Sequence, residues 1–135
     1  MQISIMENKI LFLRISYWAG AILDVIAFLI MLFPPLFALN NGLTNFRPGI
    51  DYRYAMGMGA PLMLGWTVLL LWADRKPMER KSLLLITLLV ILGEVATEIF
   101  GVAAGFIAIP AMLLTWVIQL LVSALFIFSY WNATQ

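Results

Sequence analysis

Four long apolar runs, each near the roughly 20 residues that a helix needs to cross a ~30 Å hydrocarbon layer, fill most of this 135-residue chain. In that layer every backbone polar group must find a partner inside the protein, which leaves helices and closed barrels as spanning structures. Continuous apolar runs, rather than alternating ones, select helices. The sequence therefore predicts an all-α fold, a four-helix transmembrane bundle forming one membrane domain over residues 1–135. The spans fall at about residues 15–38, 54–73, 82–105 and 109–131, with an outer loop at 40–53 and a basic loop at 74–81. Pro34 and Pro35 close the first helix near Phe33, because proline is poorly tolerated inside a helix. The tight segment from Gly105 to Pro110 makes the last two spans an antiparallel hairpin.

Composition agrees: 64% of residues are hydrophobic, 11% are charged, and mean hydropathy is +1.01, far from the soluble norm. Cysteine and histidine are both absent, which removes thiol redox chemistry, disulfides, zinc sites with nitrogen or sulfur ligands and His-ligated haem. No cofactor or metal site is expected. A net charge of +1 offers no basic surplus for nucleic acid. The segment around Glu7, Asn8 and Lys9 is too polar for a signal-peptide core, so the first span is expected to direct insertion itself.

Basic residues flanking spans are retained on the cytoplasmic side. Arg75, Lys76, Arg80 and Lys81 make up half of the eight Lys and Arg, and Lys9 and Arg14 belong to the same side. Arg47 and Arg53 face the other. Both termini are thus expected in the cytoplasm and the protein in the plasma membrane, with Trp72, Tyr130 and Trp131 as an inner aromatic belt and Tyr52 and Tyr54 at the outer face.

Side chains three, four and seven apart share a helix face, and each span carries a small or polar stripe at that spacing. These stripes are Ser16, Gly20 and Asp24; Gly57, Pro61 and Gly65; Glu94, Glu98, Gly101 and Gly105; and Thr115, Gln119 and Ser123. At ~1.5 Å rise per residue, Asp24, Glu94 and Gln119 fall near mid-bilayer, with Glu98 and Thr115 about a turn toward the outside and Ser123 toward the cytoplasm. A charge at that depth costs at least about 2.5–3.5 kcal/mol when it faces lipid. The stripes are therefore expected to line one polar core. Glu94 and Glu98, one turn apart, bring their Cβ atoms to about 5–6 Å and form a coupled pair. Arg53 is expected at the outer edge, paired locally with Asp51 or reaching inward to Glu98.

The block RYAMGMGAPLMLGWTVLLLWADRKPMERK, Arg53 to Lys81, together with YWAGAILD, Tyr17 to Asp24, resembles a group of uncharacterised prokaryotic four-span membrane proteins, a resemblance that implies no activity. By span number and membrane acids alone, the chain also looks like small multidrug-resistance exporters, DoxX-like proteins and four-span sterol isomerases. Those exporters carry their Glu in the first helix, where this chain has Asp24, and lack a Glu pair in the third. No functional residue is carried over from any of them.

The uncompensated acids point to an ion- or ligand-binding site formed by Asp24, Glu94, Glu98, Gln119, Thr115 and Ser123, for a proton, Na⁺, a hydrophobic cation or another lipophilic small molecule. Trp18, Trp66 and Trp116 offer cation–π faces to an organic amine. Two other classes fit the same residues: an accessory subunit whose acids pair with a partner's basic residues, and a lipid-modifying enzyme using paired carboxyls. No nucleophile triad, phosphate-binding loop or redox centre accompanies the acids. Membrane lipid is the expected surrounding, and a homo-oligomer the expected assembly.

Overall fold

The computed structural model describes the backbone of residues 2–135 and the side chains of residues 4–135. Its elements are all helical: α1 (Gln2–Leu32), α2 (Pro34–Asn40), α3 (Ile50–Asp74), α4 (Ser82–Ala103) and α5 (Ile109–Thr134). Four of these, α1, α3, α4 and α5, are long and apolar enough to cross a membrane, which makes this a multi-pass membrane protein.

The breaks between helices follow from local chemistry. Phe33 precedes proline and is driven into extended backbone (φ −113°, ψ 101°), which ends α1. Pro34 and Pro35 then occupy the first turn of α2, where a missing N–H costs nothing. The prolines thus end one helix and begin another. At the close of α2, Gly42 takes φ +63°, and its N–H and that of Leu43 donate to the carbonyls of Leu39 and Ala38. Gly105 repeats this device after α4: at φ +72° its N–H donates to Val102 and that of Phe106 to Gly101, a Schellman cap. Pro110 starts α5 two residues after its extended cap, Ala108.

α1 is the hub, packing against both α3 and α5, and α4 packs on α5 as the other arm of the hairpin. α3 and α4 are joined by the Trp66 indole N–H donating to the Thr87 hydroxyl at 3.1 Å. Fully buried Leu13, Tyr17, Leu70, Ala73, Leu84 and Phe126 form a core at the end that carries the basic loop. That end is also latched by polar contacts. Arg14 grips Asp74 through two bonds of 2.9 and 3.1 Å, Trp18 donates to the same carboxylate, and Tyr17 donates to the Pro77 carbonyl. Ser16 donates to Ser129 at 2.8 Å, and Lys81 to the Ala133 carbonyl at 2.9 Å. Arg80 stacks over the Trp72 ring, 3.3 Å from its centroid. At the opposite end, Phe37, Phe46, Tyr52 and Phe106 stack around the end of α2 and the start of α3.

Two expectations need correction. The stripe Gly57, Pro61 and Gly65 does not line the interior: all three residues are exposed, and a Cβ at Gly57 or Gly65 would meet nothing. α3 instead turns Ala60, Thr67, Leu70 and Ala73 inward, since Leu70 and Ala73 are needed to fill the core. Arg14 is more than a flanking charge, because antiparallel packing of α1 on α3 brings it to Asp74.

Candidate functional site

Between the packed end and the aromatic end lies a belt of half-buried polar side chains. Asp24 comes from α1, Glu94 and Glu98 from α4, and Gln119 from α5. The hairpin sets half of this arrangement. Glu98 and Trp116 are each nine residues from Ile107, so the Gly105 cap places them side by side. The Trp116 indole N–H donates to Glu98 Oε2 at 2.9 Å, and the Gln119 amide donates to Glu98 Oε1 at 3.0 Å. Both Glu98 oxygens are therefore held. Two donors on two oxygens fix the carboxyl group in orientation.

Glu94 sits one turn along α4, within electrostatic reach of both Asp24 and Glu98 and beside the Gln119 amide. Asp24 Oδ2 and Gln119 Oε1 are both buried and receive no hydrogen bond. A buried acceptor without a donor costs roughly 1–3 kcal/mol, so each of these atoms would be stabilised by a proton-bearing partner.

No basic side chain supplies it. Among the described residues the ion pairs are Arg14–Asp74 and Lys76–Glu79, both at the basic end. Arg53 pairs neither with Asp51 nor with Glu98. The Asp51 side chain folds back against Gly49, which takes it out of reach, and Arg53 lines a crevice at the aromatic end. Among the described residues no group of three or more carboxylates converges tightly enough to hold a metal ion.

The structure thus gathers Asp24, Glu94, Glu98 and Gln119. Thr115 and Ser123 are half-buried on α5 and bond to none of the acids, while Arg53 and Asp51 lie apart. Of the three tryptophans, Trp116 alone touches an acid of the belt. Trp66 is taken by Thr87 and Trp18 by Asp74. Trp116 is the contact that stripe analysis passed over, although its equal distance from the hairpin turn and its place one turn from Gln119 both mark it. No family model, curated protein or solved structure matches the chain. Its chemistry is read from this belt alone.

Proposed function

We propose that the protein binds a cation within the membrane, a proton or a lipophilic organic ammonium, at the Asp24–Glu94–Glu98 belt, and that binding serves exchange or transport. The observation that carries this reading is the Asp24 carboxyl oxygen, buried within electrostatic reach of Glu94 and without a donor, while the ion pairs among the described residues lie at the basic end. Acids within a bilayer are expensive and persist where a proton, ion or ligand uses them. Glu98, held by two donors, acts as the fixed wall of the site; Asp24 and Glu94 are the groups that exchange. A cation bearing N–H groups would supply the donors that Asp24 Oδ2 and Gln119 Oε1 lack.

The test is carboxyl infrared spectroscopy in lipid nanodiscs, with Na⁺, a lipophilic primary ammonium or a lipophilic quaternary ammonium added in turn. The expected result is a change in the protonated-carboxyl band on adding the primary ammonium, abolished by Asp24→Asn or Glu94→Gln. A band unmoved by every cation refutes the reading. A partner protein that co-purifies with the wild type and is lost on Asp24→Asn moves the acids to an assembly role.

A further inference from the structure

At the end opposite the basic loop, α2, the segment 41–49 and the start of α3 enclose an open crevice of about 740 Å³. Its lining joins apolar Pro34, Pro35, Leu39 and Leu43 with two basic residues, Arg47 and Arg53. Neither arginine forms an ion pair among the described residues, and neither donates a side-chain hydrogen bond to the protein. The more basic end behaves differently. There Arg14 is engaged by Asp74, Lys76 by Glu79, Arg80 by Trp72 and Lys81 by the Ala133 carbonyl. Among the described residues three arginines have no partner, Arg75 in the basic loop and Arg47 and Arg53 here, and only the last two share an apolar crevice. Leu39, 79% exposed, and Ile50, 83% exposed and first in α3, stand beside them as bare apolar surface at the membrane boundary.

Guanidinium presents a planar fork of donors that matches phosphate, and a long arginine stem lies along apolar surface while its head stays at the interface. An apolar lining beside two free forks fits an amphiphile whose phosphate meets the arginines and whose chain runs down the helices. A free inorganic anion would leave that lining wet. We infer that this crevice is a binding site for an anionic phospholipid, with Arg47 and Arg53 clamping its phosphate and Leu39 and Leu43 bearing on its glycerol and upper acyl chain. The site is separate from the acid belt and does not depend on what that belt binds.

The test is native mass spectrometry of the purified protein titrated with phosphatidylglycerol, with neutral diacylglycerol and inorganic phosphate as separate arms. One basic side chain near a membrane surface is worth about fivefold in affinity for anionic lipid, so Arg47→Gln with Arg53→Gln is expected to weaken phosphatidylglycerol binding roughly 30-fold and leave diacylglycerol unaffected. Arg75→Gln with Lys76→Gln removes equal charge from the other end, away from the crevice, and is expected to weaken phosphatidylglycerol binding less than the Arg47/Arg53 variant does. Equal losses in the two double variants, or an unchanged Arg47/Arg53 variant, overturn the assignment. Displacement of the lipid by millimolar phosphate also overturns it, in favour of a free-anion site. In the unmutated protein, a headgroup-photoreactive phosphatidylglycerol should label the peptide containing residues 41–53; labelling confined to residues 74–81 is the contrary result.

Discussion

Gly20 is the point where α1 meets two neighbours at once. A Cβ built on it would lie 2.9 Å from Leu70 Cδ1 of α3 and 3.1 Å from Phe126 Cζ of α5. Both side chains are fully buried, so their tips have nowhere to retreat. Replacing glycine by alanine in a helix gains about 1 kcal/mol in propensity, and overpacking a filled core costs about 1–3 kcal/mol. Gly20→Ala therefore loses between nothing and about 2 kcal/mol. Gly20→Val, which drives two further methyls into the same wedge, loses about 3 kcal/mol. Gly65→Ala is the matched control, because its new methyl enters open space and leaves only the propensity gain, about 0–1 kcal/mol of stabilisation. Steric-trap unfolding in bicelles measures all three. If Gly20→Val falls within 0.5 kcal/mol of wild type, the α1–α3–α5 junction is looser than described. If Gly65→Ala costs more than Gly20→Ala, the open face of α3 is packed against something in the working protein, and the reasoning fails.

Phe126→Ala should cost about 2–3 kcal/mol by the same assay, less than the 3–5 typical in water, because lipid removes much of the transfer term and leaves the cavity term. At the latch, Asp74 accepts three bonds and is 11% exposed, while its partner Arg14 is 55% exposed. Asp74→Ala is thus expected to cost about 1–2 kcal/mol and Arg14→Gln less; equal effects would contradict the asymmetry. Glu98→Leu strips the acceptor from both Trp116 and Gln119 and should cost about 1–2 kcal/mol, whereas Glu98→Gln, which keeps one acceptor, should cost about half as much in the same unfolding measurement. Gly105→Ala forces alanine into φ +72° and should cost about 1–2 kcal/mol, with the α4–α5 hairpin the first element to lose amide-exchange protection.

The spans were legible because the bilayer sets a length and the chain meets it four times. The hairpin was legible because Gly105 and Pro110 each have one conformational use. The facing of α3 was not. In water, hydropathy tells the inside of a helix from the outside, but lipid and protein interior are equally apolar, so that contrast vanishes. Small residues then look like an interface without saying whether it lies within the chain or between chains, and within this chain α3 leaves Gly57, Pro61 and Gly65 exposed and buries Leu70 and Ala73. The acids kept their meaning because charge is costly against lipid in any orientation, and Asp24, Glu94 and Glu98 are each part-buried in the bundle. Their hydrogen bonds were harder to foresee, since Trp116 reaches Glu98 only through the register of the hairpin. The ends of α1 were hidden too: Glu7 and Lys9 sit on a helix that continues past the apolar run.

The bond between Ser16 and Ser129 joins residues 113 positions apart. At synthesis rates of roughly 5–20 residues per second, α1 waits between about 6 and 23 s in the bilayer before its partner on α5 exists. During that interval the Ser16 hydroxyl has the Phe12 carbonyl of its own helix, which it also meets at 2.9 Å in the finished fold. The first span can therefore lie in lipid as a self-sufficient helix. What it cannot yet have is the rest of the acid belt, since Glu94 and Gln119 arrive only with α4 and α5, so Asp24 enters the bilayer before the residues it shares the site with.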